Sequence, residues 1–189
     1  MKTIRINSLS TLVNLVLVSI LLPACSQNID SSSTSAVDKP EMDIHAAVMS
    51  NNLEVVRQHI DAGTDINLKE PFSGSTPLIS AATFGKTEIA KALIDAGADL
   101  TLINNDGSTS LHAAAFFCRV EIVQMLIDAK ADKTLRNNFG ATPRETVMGP
   151  FSEIKPVYEM IQQQLAPMGL QLDLAQLEKT RPVISMMLQ

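Results

Sequence analysis

The sequence has no tryptophan, two cysteines and few aromatic residues, which make up 4% of its 189 positions. Two cysteines can form neither a disulfide framework nor a four-cysteine zinc site. Basic residues are outnumbered, since 15 Lys and Arg stand against 20 Asp and Glu and leave a formal charge of −5. An acidic chain lacks the cationic field that gathers nucleic acid, so we expect no nucleic-acid partner. The apolar fraction of 46% is ample for one domain with a buried core.

The longest apolar run is too short to span a bilayer. Residues 12–22 read LVNLVLVSILL, and as a helix they would measure roughly 16 Å against about 30 Å of hydrocarbon. A short basic start with Lys2 and Arg5 precedes this run, which is the pattern of a secretory signal. The run ends in Leu22-Pro23-Ala24-Cys25, which resembles the lipobox of bacterial lipoproteins.

The lipobox resemblance implies a protein of the bacterial envelope. In that family the signal, here residues 1–24, is removed, and the cysteine, here Cys25, is acylated and becomes the mature N-terminus. A non-acidic residue after it, here Ser26, implies a lipid-anchored, periplasm-facing protein of the outer membrane. An ordinary secretory signal, which leaves the protein soluble in the periplasm or secreted, is the alternative. Residues 25–40 would then be the lipidated cysteine and a flexible, Ser-rich tether with almost nothing to bury.

The middle of the chain repeats itself every 33 residues. Gly74, Gly107 and Gly140 keep this step, and a threonine stands two positions after each of them. Two successive units read GSTPLISAATFGKTEIAKALIDAGADLTLIN and GSTSLHAAAFFCRVEIVQMLIDAKADKTLRN. An earlier unit begins near Asp43, and a shortened one follows Gly140. Such units must stack, because one unit alone cannot bury its apolar faces.

These units resemble the ankyrin repeat in their G-x-T-P-L-H-x-A-A opening, their E-I-V-x-x-L-I second helix and their G-A-D exit. The resemblance implies an all-α solenoid in which each unit is a β-hairpin followed by two antiparallel helices. We expect about four units over residues 41–166, the last of them a cap. A short helical C-terminal extension is expected over residues 167–189.

The residues after the third unit depart from the repeat. We expect the second helix of the fourth unit to begin at a Ser152 cap and to run to about Leu165. The extension should fold back on the last repeat as two short helices, with Thr180 and Pro182 at the start of the second.

Caps and stops can be located inside the repeats. Thr76 is placed to cap a helix whose first position is Pro77, where a missing N–H costs nothing. The left-handed stop glycines of the second unit, Gly85 and Gly97, correspond to Cys118 and Lys130 in the third. Each replacement should cost roughly 1 kcal/mol, so the third unit should be the least ideal.

The sequence offers no pattern for catalysis, and none for holding a metal, a cofactor or a small-molecule substrate. His45 and His112 occupy equivalent repeat positions, and in ankyrin repeats this histidine hydrogen-bonds between units. His59 is expected on the surface of a second helix. Cys118 has no His or Asp at a spacing that marks a nucleophile. We therefore expect no enzyme. The alternative is a stress-protective or redox accessory protein that acts on an envelope enzyme through Cys118.

The family resemblance also implies where a protein partner would bind. Ankyrin repeats hold partners at their hairpin tips and at the inner-helix positions before the mid-repeat glycine. Carried over to this sequence, the inner positions are Met49, Thr83, Phe84, Phe116 and Phe117, and the tips carry Phe72 and Phe139. Five of the six phenylalanines therefore fall on the expected surface, which is typical of a recognition site. Packing of some rings between repeats, Phe116 especially, is the alternative.

Overall fold

The computed structural model describes residues 39–189, and every structural statement below concerns this part of the chain. It contains eight α-helices, two short 3₁₀ helices and no strand. The all-α fold class is confirmed. The α-helices are α1 Ile44–Met49, α2 Leu53–Asp61, α3 Pro77–Phe84, α4 Thr87–Asp95, α5 Ser110–Phe116, α6 Val120–Asp128, α7 Phe151–Leu165 and α8 Leu174–Met187; the 3₁₀ helices are Glu145–Val147 and Ala166–Met168.

The first six helices form three pairs that stack in two layers. Helices α1, α3 and α5 make the inner layer, and α2, α4 and α6 make the outer one. Alanines such as Ala47, Ala81 and Ala114 are fully buried between the inner helices, and their small side chains let the backbones approach closely. Larger side chains of the outer helices, such as Leu93 and Leu126, fill the space between the layers.

Helix starts within the repeats follow the sequence prediction. The Thr76 hydroxyl accepts the backbone N–H of Ile79 at 3.3 Å, and Pro77 is the first residue of α3. In the next unit Thr109 caps α5, and the His112 ring accepts the Thr109 backbone N–H in return. These contacts satisfy N–H groups that a helix start leaves without partners.

The left-handed stops are confirmed even where the sequence has no glycine. Asn51, Cys118 and Lys130 have φ values of 57°, 52° and 66°. Asparagine tolerates this conformation, whereas cysteine and lysine lose roughly 1 kcal/mol in it. The third unit, which contains both, therefore has the most strained helix ends of the three.

The fourth unit is completed by α8 and not by α7. Its inner position holds only the 3₁₀ helix Glu145–Val147, which packs on α5. Helix α8 packs on this 3₁₀ helix and on α6, and its Ile184 is fully buried in the core of the stack. The expectation that the helix beginning at Ser152 closes the unit is wrong, because α7 buries one side chain whereas α8 buries four.

Helix α8 runs in the same direction as α6. Near its start, the Leu177 carbonyl lies 3.9 Å from the Cys118 thiol, just before α6. After its end, the backbone carbonyl of Gln189 accepts from Lys133, which follows α6. Outer helices of stacked repeats are parallel to one another in this way, so residues 174–187 occupy the outer position of the fourth unit.

Two further expectations for the C-terminal region are wrong. Residues after Leu170 form one α-helix, in which Thr180 and Pro182 are internal, instead of two. Asp173 caps this helix by accepting the Gln176 N–H, and burial on both sides of Pro182 outweighs the lost hydrogen bond. Helix α7 begins at Phe151 after an extended Pro150, so Ser152 is not its cap. No helix within residues 39–189 is long and apolar enough to cross a membrane.

Candidate protein-binding surface

The tips between the helix pairs are joined to one another by a ladder of hydrogen bonds. Asn105 donates its backbone N–H to the Ser73 carbonyl at 2.8 Å and its side-chain amide to the Phe72 carbonyl at 3.1 Å. One repeat later, Asn138 makes the same two bonds to Asp106 and Asn105, at 2.9 Å and 3.0 Å. The β-hairpins expected at the tips are turns without strands in residues 39–189, because side-chain and single backbone hydrogen bonds join the tips in place of a strand ladder. This asparagine ladder fixes each tip against its neighbour.

Glycine is required at two tips because the next tip approaches so closely. A Cβ on Gly74 would lie 2.4 Å from Asn105 Oδ1, and a Cβ on Gly107 would lie 2.5 Å from Asn138 Oδ1. Gly140, in the last tip, keeps the left-handed conformation but has nothing within 4 Å of such a Cβ. The ladder therefore depends on residues that lack a side chain.

Two phenylalanine rings project from this ladder into solvent. Phe72 is 93% exposed and Phe139 is 79% exposed. The Phe72 N–H is held by the Glu70 carboxylate at 2.7 Å. Partial burial of Glu70 acts to raise its pKa. Hydrogen bonds from the Ser73 hydroxyl and from the backbone outweigh this and lower the pKa of Glu70 below its usual value. The first tip is thus a turn fixed by an ionised carboxylate, with its ring fully presented.

The inner-helix ends differ from one repeat to the next. Met49, Thr83 and Phe84 are half-buried at the ends of α1 and α3, so they form part of the accessible surface. Phe116 is also half-buried, but Phe117 is 8% exposed. The expectation that Phe117 is an open ring is wrong.

Phe116 and Phe117 belong to an aromatic cluster that α7 covers. The two rings meet edge to face with centroids 5.0 Å apart. The Tyr158 ring packs on Phe116 at 4.6 Å, and its hydroxyl donates to the Phe116 carbonyl at 2.7 Å. The Phe151 ring stacks on Tyr158 with centroids 6.0 Å apart. Burial of this ring raises the pKa of Tyr158 to about 12, so its hydroxyl stays a donor. The alternative of packed rings therefore holds for the third repeat.

Cys118 lies beside this cluster and has the properties of an inert thiol. Burial raises the pKa of Cys118 to about 11, an effect that the nearby Arg119 and Arg181 only partly offset. At neutral pH the thiol therefore stays protonated, whereas the thiolate is the reactive form. Geometry and burial thus argue against a redox role for this residue.

All three histidines make structural hydrogen bonds. The expectation that one of them, His59, lies on the surface is wrong. The Nε2 atom of His45 lies 2.9 Å from the Leu68 carbonyl, and that of His112 lies 3.0 Å from the Ala141 carbonyl, so both connect successive units as expected. His59 was expected on the surface, yet it is 2% exposed.

His59 is buried because it occupies a core position of the repeat. Its ring lies 2.8 Å from the Met42 carbonyl and 3.0 Å from the Thr64 hydroxyl, which satisfies both nitrogens. The signal was present in the sequence, since His59 aligns with Leu93 and Leu126, both fully buried. In residues 39–189, no group of three or more His, Cys, Asp or Glu side chains is placed to hold a metal ion.

The residues predicted from the sequence to bind a partner thus fall into two groups in the structure. Phe72 and Phe139 are on the tips, and Met49, Thr83 and Phe84 lie at accessible inner-helix ends. Phe116 lies against Tyr158 of α7, and Phe117 packs on Phe116. The lipidation site Cys25 and the signal of residues 1–24 are outside the described residues. All of these remain predictions as partner or lipid sites.

Comparison with known proteins identifies the repeat. The family described as ankyrin repeats matches residues 44–137, in three copies. Human protein phosphatase 1 regulatory subunit 27 is 42% identical over 63 residues, which are 33% of this chain and 40% of that protein. Mouse protein phosphatase 1 regulatory subunit 12A is 38% identical over 61 residues, which are 32% of this chain and 6% of that protein.

A third relative comes from a virus. An ankyrin repeat protein of fowlpox virus (strain NVSL) is 42% identical over 62 residues, which are 33% of this chain and 14% of that protein. The matched segment therefore spans at most 40% of these relatives' own length.

Proposed function

Since residues 44–137 are three ankyrin repeats, we propose that this chain is a non-enzymatic protein-binding module tethered to the bacterial envelope. Its tether is a lipid on Cys25, and its partner is a protein of the periplasm or of the outer membrane. The observation that carries the proposal is the exposure of Phe72 and Phe139 on tips that the asparagine ladder holds in place.

Exposed rings on a rigid support favour binding for a physical reason. Burying a phenyl ring in an interface removes a large apolar area from water. The tips are fixed before the partner arrives, so little conformational entropy is lost on binding. The half-buried Phe84 and Thr83 lie at the inner end of the second unit and can extend the contact beyond the tips.

The relatives support the act of binding and not a particular partner. Two of them are named as regulatory subunits of protein phosphatase 1, and a regulatory subunit acts by binding another protein. Because the matches cover at most 40% of those proteins, we extend to this chain protein binding in general and not the phosphatase. The envelope location rests on the sequence of residues 1–26.

The alternative function through Cys118 is not favoured. A thiol whose pKa is about 11 is a poor nucleophile at neutral pH, and its sulfur lies between the carbonyls of Phe116 and Leu177. Substitution Cys118→Ser should therefore leave partner binding unchanged.

The proposal is tested by quantitative capture of envelope proteins on the purified chain. We expect the double variant Phe72→Ala/Phe139→Ala, and separately Phe84→Ala, to weaken capture of the same protein by about 30-fold, or about 2 kcal/mol. Val120→Ala is the matched control, because Val120 is an exposed apolar residue at the start of α6.

Far-UV circular dichroism establishes that each variant keeps its helices. Normal capture by both folded phenylalanine variants would contradict the proposed surface. An equal loss with Val120→Ala would mean that the captured protein adheres to apolar surface in general.

A further inference from the structure

We propose that the end of α5 around Phe116 and Phe117 is an acceptor surface for an amphipathic helix, and that α7 occupies it in cis. The protein partner of the proposed function would present a helix of the same chemistry and take the place of α7. This proposal rests on the proposed function and specifies that the partner binds through an amphipathic helix.

The repeat stack is completed without α7. Helix α8 fills the outer position of the fourth unit, where it contacts α6 and the 3₁₀ helix Glu145–Val147. Ile184 and Leu188 of this region belong to the main apolar core, whereas no residue of α7 does. Helix α7 is therefore an insertion that lies against a finished solenoid.

Helix α7 contacts the end of α5 through one apolar stripe, as a bound helical peptide does. Tyr158 is its one buried side chain among the described residues, and Ile154, Val157 and Ile161 flank it half-buried along the same stripe. Tyr158 packs on Phe116 and reaches the Phe116 carbonyl with its hydroxyl. One aromatic anchor within an apolar helical stripe is the usual pattern of a helix bound in a groove.

A ligand of the surface around Phe116 must supply a hydrogen-bond donor as well as apolar side chains. The Phe116 carbonyl is among the last four of α5 and has no partner within that helix. Besides the Tyr158 hydroxyl, its other donor is the weak Cys118 thiol at 4.0 Å, so a ligand without a hydrogen-bond donor would leave this carbonyl poorly satisfied. The fitting ligand is therefore a helix with a tyrosine, and with apolar residues four positions before it and three after it.

Helix α8 is held in the stack mainly by elements other than α7. Gly149 and Gly169 stand on either side of α7 and the 3₁₀ helix after it, and a Cβ on either would have no atom within 4 Å. The buried Arg181 of α8 donates to Tyr158 at 3.1 Å, but it also donates to the carbonyls of Thr146 and Met148 at 3.3 Å. Without α7, Arg181 would keep two of its three partners, and α8 would keep its contacts with α6 and with the 3₁₀ helix Glu145–Val147.

The experiment uses the full chain and a synthetic peptide of residues 150–166 as the probe. Wild type should bind the labelled peptide weakly, because α7 already fills the surface. The variant Tyr158→Ala should bind it at least 10-fold more tightly in fluorescence anisotropy. A matched peptide with Tyr158→Ala should bind that variant at least 10-fold less tightly than the native peptide does.

Hydrogen exchange shows whether α7 moves alone. In Tyr158→Ala we expect amides of α7 to lose protection while those of α5, α6 and α8 keep theirs. Joint loss of protection in α7 and α8 would overturn the proposal, because α7 would then be part of the fold. A protected α8 without peptide binding would overturn it as well.

A milder variant guards against gross unfolding. Tyr158→Phe keeps the ring and removes only the donor, so it should raise exchange in α7 and admit the peptide to an intermediate degree. The tip variant Phe72→Ala/Phe139→Ala should leave peptide binding to Tyr158→Ala unchanged. Failure of the tip surface in partner capture can thus be told apart from failure of this helix site.

Discussion

At the scale of a single residue, His112 is held in one protonation state by its neighbours. Its Nδ1 accepts the backbone N–H of Thr109 at 3.2 Å, so Nε2 carries the proton and donates to the Ala141 carbonyl at 3.0 Å. A second proton on Nδ1 would break the bond to Thr109. Burial lowers the pKa of His112 below its usual range, although the hydrogen bonds to Ala141 and Leu135 act in the other direction.

This lowered pKa predicts a loss of stability in mild acid. As the pH falls through about 6.5, the unfolded state takes up a proton before the folded state does. The contribution of His112 is therefore fully present above about pH 6.5 and is lost progressively below it. We expect the free energy of unfolding, measured with urea between pH 7.5 and 5.5, to decrease as the pH is lowered.

The variant His112→Gln is the control for this pH dependence. It has no titrating ring, so the decrease between pH 7.5 and 5.5 should be smaller than in wild type. A decrease of the same size in both proteins would assign it to another group.

The conformation and burial of a residue could be predicted where they were inferred from its aligned position in the repeat. They could not be predicted from the residue type alone. The left-handed conformations of Cys118 and Lys130 followed from their alignment with Gly85 and Gly97. His59 was misjudged from its polarity, although its alignment with two buried leucines carried the right answer. Phe117 packs edge to face against Phe116 and is 8% exposed, whereas its repeat position alone predicted an accessible ring.

At the scale of an element, the asparagine ladder makes two glycines unequal. Gly107 and Gly140 have similar φ values, 71° and 76°, but only Gly107 faces the next tip. Gly140→Ala should cost about 1 kcal/mol of stability, which is the strain of a left-handed alanine. Gly107→Ala should cost at least about 1 kcal/mol more, because its Cβ would displace Asn138.

Chemical denaturation of both variants measures this difference. Loss of the close approach at the third tip should also appear as faster amide exchange at Asn138 in Gly107→Ala alone. Equal destabilisation by the two substitutions would mean that the tips are free to move apart.

The helices of the 33-residue repeats could be predicted together with their positions in the stack. For α7 and α8, only their helical structure could be predicted. Apolar spacing indicated α7 and the helical nature of α8. Which of the two completes the fourth unit is decided by how much each one buries, and that depends on the surface left open by α6 and the 3₁₀ helix Glu145–Val147. The single helix through Pro182 has the same origin, since packing on both sides of the proline outweighs one missing hydrogen bond.

At the scale of the whole molecule, the proposed lipid anchor and the binding surface are carried by separate segments. Substitution Cys25→Ala should abolish acylation and leave unprocessed precursor or soluble product, because the thiol is the site of acyl attachment in the family that the lipobox resembles. Metabolic labelling with a fatty-acid analogue, followed by membrane fractionation, measures both effects.

The second cysteine provides the control for the anchor. Cys118→Ser should keep acylation and membrane association, since this half-buried thiol belongs to the folded repeats and not to the lipobox. Unchanged labelling of Cys25→Ala would contradict the lipoprotein proposal, whereas the repeat fold would be unaffected.

The order of helices along the chain differs from their order in space, and this has a consequence for biosynthesis. The first three units are built from neighbouring segments, so each can close as soon as its own residues have been made. The fourth must wait for residues 174–187, while α7 and its connections are synthesised in between. During vectorial synthesis, the surfaces of α6 and of the 3₁₀ helix Glu145–Val147 that α8 covers must therefore wait for that late segment. The C-terminal end of the stack is thus the last part of the solenoid that can close.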